Sequence, residues 1–241
     1  DDKNIYKVKG ASKNTYTSGV ICAKVGRYSE RTHHPDRLKK PLMRTGKKGS
    51  NDFKEIKWEQ ALDIVAENFI STAQKHGTES IWPYFYAGTM GLVQRDGINR
   101  LRHAMKYSGQ HSTICSTITA SGFRAGVGTL KGPDPREMAL ADVILVWGCN
   151  PASTQVNVMK HIQKARKNRN AKLIVVDPYK TRSAKVADFH YPIKPGTDGA
   201  LACSIMHILF RDNYADKAYM DKYTDDPKGL EKHLKKYTPE W

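Results

Sequence analysis

Val143-Ile144-Leu145-Val146-Trp147-Gly148-Cys149-Asn150-Pro151-Ala152-Ser153, followed further on by Leu173-Ile174-Val175-Val176-Asp177-Pro178, decides the fold. Each apolar run has the length of one buried strand, and turn-forming residues close it. Between them Val156, Met159, Ile162 and Gln163 open an amphipathic helix that ends near Asn168. Strand, loop, helix and strand over this distance make a βαβ unit, which implies a parallel sheet and a right-handed crossover. Phe189 to Ile193 reads as a further strand, and Gly199 to Arg211 as another helix with Leu201, Ile205, Ile208 and Leu209 inward. The class is α/β: doubly wound, mostly parallel sheet lobes with a small N-terminal β-rich piece.

Upstream, Trp58 to Lys75 carries Trp58, Ala61, Leu62, Val65, Ala66, Phe69 and Ile70 at the helical period, with Gly77 as the stop. Ile81 to Tyr86 reads as a short aromatic strand ending at Ala87-Gly88, and Ile98 to Tyr107 as a second helix. A Ser/Thr/Gly-rich segment fills Ser108 to Gly132. Ile5 to Val8 alternates and reads as a strand before a turn at Gly10. The charged, Gly- and Pro-bearing stretch from Lys24 to Gly49 reads as an extended, loop-rich connection.

The 241 residues include 40 Lys and Arg against 24 acids, a net charge of +16, with 39% hydrophobic residues. A surplus of this size is either a solvated basic surface or one that favours phosphates, nucleic acid or acidic partners. No basic helix with interleaved aromatics, zinc-finger spacing or RNA-binding signature accompanies it, so a phosphate-bearing cofactor is the better partner and nucleic acid the worse one. No stretch has the length and apolarity of a membrane span. The sequence opens at Asp1 without Met and closes at Trp241 without a terminal signature, so it reads as an internal piece of a longer chain. The compartment stays open, with a slight lean to the cytoplasm over the periplasm. Cys22, Cys115, Cys149 and Cys203 lie far apart with no CxxC pair. Spacing alone makes each a small buried hydrophobe rather than a ligand.

Ligands of open parallel sheets sit at the carboxyl ends of strands. Two loops lie there, Gly148 to Thr154 and Asp177 to Thr181, and Lys194-Pro195-Gly196-Thr197-Asp198-Gly199 follows the next strand. The first brings a Gly, an Asn and two hydroxyls to a helix N-terminus, where free N–H groups attract phosphate. Asp177 can accept from a ribose hydroxyl or a purine N–H edge. Asp198 is either a helix N-cap or a base-edge acceptor. GxGxxG, the common nicotinamide signature, is absent, which counts against a dehydrogenase of that type. Each loop by itself is as readily a plain turn; three in register at one sheet edge tilt the reading toward a nucleotide.

Together these motifs resemble the dimethyl sulfoxide reductase family of molybdenum enzymes. The resemblance rests on Cys22-Ala23-Lys24, His34-Pro35-Asp36-Arg37-Leu38, Pro41-Leu42, Arg44 and Ile56 to Leu62. It continues through Gly148-Cys149-Asn150-Pro151-Ala152, Val176 to Thr181, Ala187-Asp188 and Pro195-Gly196-Thr197-Asp198, in that order, over nearly the whole chain. It implies a bis-molybdopterin guanine dinucleotide cofactor carrying molybdenum or tungsten. Gly148, Asn150, Pro151, Asp177, Thr181, Gly196 and Asp198 are then the contacts to one guanine dinucleotide. A carboxylate suits the guanine N1–H and N2–H₂ donors as a charge-assisted, two-point acceptor.

By the same resemblance Cys22, in the context Gly19-Val20-Ile21-Cys22-Ala23-Lys24, is the fourth ligand of a [4Fe–4S] cluster. Lys24 would lie between cluster and pterin. Cys115, in Ile114-Cys115-Ser116-Thr117, is the molybdenum ligand and catalytic residue, with Ser116 as fallback. Ser116-Thr117 departs from the His-Gly pattern of formate dehydrogenases. Arg95, Asn99, Arg100, Arg102 and His103 are candidate pterin or phosphate contacts or a solvated charged face. His33, His34 and His111 are polar contacts or structural side chains.

The implied organisation is residues 1–42 as part of a cluster domain, 43–109 as part of a first dinucleotide-binding lobe, and 110–241 as a second. The implied activity is two-electron oxidation or reduction of a small-molecule substrate, with electrons passing through the cluster to a partner subunit. The alternative is a non-catalytic iron–sulfur electron-transfer relative, like the large subunit of respiratory complex I, and Cys115 discriminates between the two.

Overall fold

The computed structural model describes residues 4–84, 92–111 and 114–241. The chain divides into two compact units, Asp1–His33 with Ile118–Trp241, and His34–Thr117. Residues 81–84 of the expected aromatic strand adopt no regular structure; the rest of that stretch, 85–88, and the side chain of Arg95 lie outside the described residues.

The N-terminal stretch corrects the expectation of a strand at Ile5 to Val8: residues 4–11 adopt no regular structure. Ile5 and Tyr6 are solvent-exposed, and the Ile5 N–H donates to His33 Nε2 at 2.9 Å instead of joining a ladder. Alternation without a neighbouring strand leaves the backbone unpaired, so it does not specify β-structure. The segment from Lys24 is not purely extended either. It contains α1 (Ala23–Gly26) and α2 (Tyr28–Thr32), the latter preceded by Arg27, whose guanidinium pairs with Glu30 one turn on.

In the second unit, β1 (Leu42–Arg44) pairs antiparallel with β2 (Phe53–Glu55), Met43 opposite Lys54. Helix α3 (Trp58–His76) follows the apolar period and stops at Gly77, whose φ of +87° is left-handed territory open to glycine. Phe69 of α3 packs edge-on against buried Tyr107, with ring centroids 5.8 Å apart. Helix α4 (Leu92–Met105) begins earlier than its periodicity indicates. Helix α5 (Ile114–Val127) runs through the Ser/Thr/Gly-rich segment. Its apolar residues fall at i, i+4 as Ile114/Ile118 and Phe123/Val127, a helical spacing that the small polar residues between them mask.

The first unit holds the parallel sheet, in the order β3 (Val143–Trp147), β4 (Lys172–Val176), β5 (Phe189–Tyr191). Between β3 and β4 run α6 (Pro151–Thr154) and α7 (Val156–Arg169). Ile144, Leu173 and Val175 on one sheet face meet Ile162 and Ala165 of α7, with Ala171 and Ala184 closing the cluster. Leu173, Val175 and Ile162 are fully buried, each contributing roughly 1.5–3 kcal/mol of transfer free energy. Val143, Leu145, Phe189 and Tyr191 alternate onto the opposite face and are about half exposed. Asp188 staples the unit: its carboxylate accepts from the Leu173 N–H at 2.7 Å and from Arg166 of α7 at 3.0 Å.

Helix α8 (Asp198–Arg211) follows β5. Helices α9 (Lys217–Tyr223) and α10 (Pro227–Leu234) complete the chain, each capped by an Asp side chain at its N-terminus. Leu234 is buried, and its carbonyl bonds to His207 of α8 at 3.0 Å. At the other end of this unit the segment before Cys22 is pinned to α7. The Tyr16 and His161 rings stack at 5.4 Å, and His161 Nε2 bonds to the Tyr16 carbonyl at 3.0 Å. Arg136 donates to Thr15 at 2.6 Å.

Candidate cofactor-binding site

Trp147, Val176 and Tyr191 share one rung of the parallel sheet, and each is the last residue of its strand. The Gly148 N–H donates to the Val176 carbonyl at 2.9 Å, and the Asp177 N–H to the Tyr191 carbonyl at 3.3 Å. The three loops singled out from the sequence therefore leave the sheet side by side. That register brings Gly148, Asp177 and the Gly196–Asp198 turn to a single edge.

The backbone there is open. Gly148 has φ +58° and Gly196 φ +85°, and a Cβ added at either, or at Gly199, would meet nothing within 4 Å. Phosphate oxygens can approach such backbone closely. Asp198 is the first residue of α8, with an exposed carboxylate. Its Oδ1 accepts from the Trp147 indole N–H at 2.7 Å. Open glycine backbone beside an exposed carboxylate is a donor and acceptor set that fits a nucleotide diphosphate and base.

Other predicted residues are engaged with the protein itself. Asn150 Oδ1 accepts from the Ser183 N–H at 3.2 Å and the Ser183 hydroxyl at 2.9 Å, while Ser183 Oγ accepts from the Ala152 N–H at 3.0 Å. Pro151 is buried at the first position of α6. Asp177 is buried; its Oδ1 accepts from the Tyr179 N–H at 3.2 Å, and its carbonyl bonds to His190 at 3.0 Å. Buried Thr181 accepts from the Ala184 N–H at 3.1 Å. These side chains shape the loops, leaving Gly148, Gly196 and Asp198 as the open surface. Neither Ser183 nor Trp147 stands out in the sequence. A Trp at a strand end, where its N–H must find an acceptor, is the one available signal.

Cys22 is the N-cap residue of α1 in the same unit, with Lys24 in the first turn. The nearby Val25 N–H foremost, joined by the Lys24 N–H and its charge, holds the Cys22 thiol below its ordinary range despite partial burial. That favours the thiolate a metal cluster requires. Cys115 belongs to the other unit, exposed in the first turn of α5. Among the described residues no group of three or more His, Cys, Asp or Glu stands close enough to hold a metal ion. On α4, Arg102 bonds to Asn99 at 3.3 Å and lies against His103. His33 accepts from the Ile5 N–H and His34 from the Asp36 N–H. Among the described residues, no helix is long and apolar enough to cross a membrane.

Comparison with known proteins shows the family to which the chain belongs. A family model described as molybdopterin oxidoreductase matches residues 37–228. The probable oxidoreductase YoaE of Bacillus subtilis is 39% identical over 240 residues, 99% of this chain and 35% of its own length. The probable dimethyl sulfoxide reductase chain YnfF of Escherichia coli is 32% identical over 200 residues, 80% of this chain and 25% of its own. Among solved structures, acetylene hydratase from Pelobacter acetylenicus superposes with a TM-score of 0.67 at 24% identity, covering 90% of this chain and 30% of that one. That last likeness is one of fold. The chain spans about a third or less of the length of the relatives it matches. With the family model matching most of the chain, it belongs to the molybdopterin oxidoreductase family.

Proposed function

We propose that this chain is part of the catalytic subunit of a molybdenum or tungsten oxidoreductase, and that its parallel-sheet edge holds one half of a bis-molybdopterin guanine dinucleotide. The observation that carries the reading is the shared rung of Trp147, Val176 and Tyr191, which sets three nucleotide-suited loops together. Gly148 and Gly196 would take the diphosphate against open backbone. Asp198 would accept from the guanine edge. Asn150, Pro151, Asp177 and Thr181 would hold the loops in shape around the ligand. In this reading residues 1–42 belong to a cluster domain, 43–109 to one dinucleotide-binding lobe and 110–241 to a second.

When bound, the cofactor supplies two-electron chemistry on a small-molecule substrate. Cys115 would ligate the metal as a thiolate. Cys22 would ligate a [4Fe–4S] cluster, with Lys24 placing a cation beside it and electrons continuing to a partner subunit. Relatives named as oxidoreductase and dimethyl sulfoxide reductase support this class of chemistry.

The test uses the full-length parent protein, matured in a host that makes the cofactor. Metal analysis and acid release of guanosine monophosphate should find molybdenum or tungsten together with guanine nucleotide. Cys115→Ala should abolish turnover while leaving the nucleotide bound. Unchanged metal content and turnover in that variant would favour the electron-transfer relative, and a wild-type protein with no metal and no pterin would end the proposal.

A further inference from the structure

We infer that Trp147 is a positioning residue for guanine selectivity, acting through Asp198; the inference rests on the nucleotide reading above. The two residues are far apart in the chain. Trp147 ends β3 and Asp198 begins α8, yet the indole N–H reaches Asp198 Oδ1 at 2.7 Å. The indole N–H is donor only, so it can engage an acceptor but never compete as one. A carboxylate offers about four acceptor sites, so this bond leaves most of them for a ligand.

An exposed aspartate otherwise samples several rotamers, and binding must select one. A two-point contact to the guanine N1–H and N2–H₂ donors depends on the plane of the carboxylate, not merely on its charge. The bond from Trp147 fixes that plane before the base arrives. Adenine lacks this pair of donors, so the fixed orientation favours guanine and leaves adenine indifferent.

The experiment measures GDP and ADP binding by calorimetry to the full-length protein isolated without cofactor. Trp147→Phe should weaken GDP roughly three- to ten-fold, the cost of ordering one side chain, and leave ADP unchanged. Asp198→Asn should erase the preference for GDP. An equal loss of GDP and ADP in Trp147→Phe would reveal a merely structural role and overturn the inference. A collapsed preference in Asp198→Asn with an intact one in Trp147→Phe would overturn the inference while the nucleotide reading stands. An intact preference in Asp198→Asn would overturn both. If Trp147→Phe does not fold, benzothienylalanine at position 147 replaces the N–H with sulfur at nearly constant shape. It should give the same selective loss of GDP, and an unaltered GDP-to-ADP ratio would overturn the inference.

Discussion

The side-chain carbonyl of Asn150 accepts both the backbone N–H and the hydroxyl of Ser183, at 3.2 and 2.9 Å, tying the loop after β3 to the loop after β4. Ser183 is fully buried, so its donors have no water to turn to. Asn150→Ala should therefore destabilise the protein by about 1–3 kcal/mol, the cost of unsatisfied buried donors. Asn150→Asp keeps the acceptor and should recover much of that loss. Urea midpoints for the two variants check the expectation, and an Asn150→Ala midpoint equal to wild type would refute it.

Asp188 makes a second, pH-dependent tie. The Leu173 N–H foremost, with the charges of Arg166 and Lys172, holds its carboxyl below the usual carboxylate range. The folded-state value lies below the unfolded one of about 3.9, so the stabilisation is complete above that pH and is lost as pH falls through the folded value. Asp188→Asn should cost roughly 1–3 kcal/mol at pH 7. The gap between variant and wild type should shrink below about pH 4. Melting temperatures across pH 3 to 7 would show it, and a constant gap would mean the ionised carboxylate is not the source.

Strong local signals made the sheet legible. The apolar run from Val143 to Trp147 is one strand with those bounds, and Trp58 begins α3 where its period begins. Ile5 to Val8 alternates but has no partner strand among the described residues, and only tertiary structure decides that. α5 was hidden by composition, since Ser, Thr and Gly outnumber the apolar residues that set its period. At the site, sequence identified the loops but not the division of labour within them. Asp177 and Thr181 turn inward to nearby backbone, whereas Asp198 stays exposed. Ser183 and Trp147 went unseen because their partners lie 33 and 51 residues away, beyond any local pattern.

His161 is buried at 4% exposure, where it stacks on Tyr16 and bonds to the Tyr16 carbonyl. His161→Phe keeps a ring for stacking but removes the bond. The amides of residues 14–20 should then exchange hydrogen faster, by about ten-fold for each 1.4 kcal/mol lost. Amides of β3 and β4 should keep their protection. Hydrogen exchange read by mass spectrometry separates the two regions. Equal acceleration in both would indicate global destabilisation instead of release of the segment that carries Cys22.

Gly148 discriminates a turn from a ligand loop, because the two roles make opposite demands on the same substitution. Its φ of +58° disfavours any residue with a Cβ, at a cost of about 1 kcal/mol. Nothing within 4 Å would obstruct the new atom, so packing adds no further penalty. If the loop is only a turn, Gly148→Ala loses that modest stability and nothing more. If a diphosphate lies against this backbone, the methyl group stands in its place. The full-length variant should then release at least ten-fold less guanosine monophosphate on acid hydrolysis than wild type, while its melting temperature falls by only a few degrees. Full nucleotide content in Gly148→Ala would move the diphosphate away from this loop.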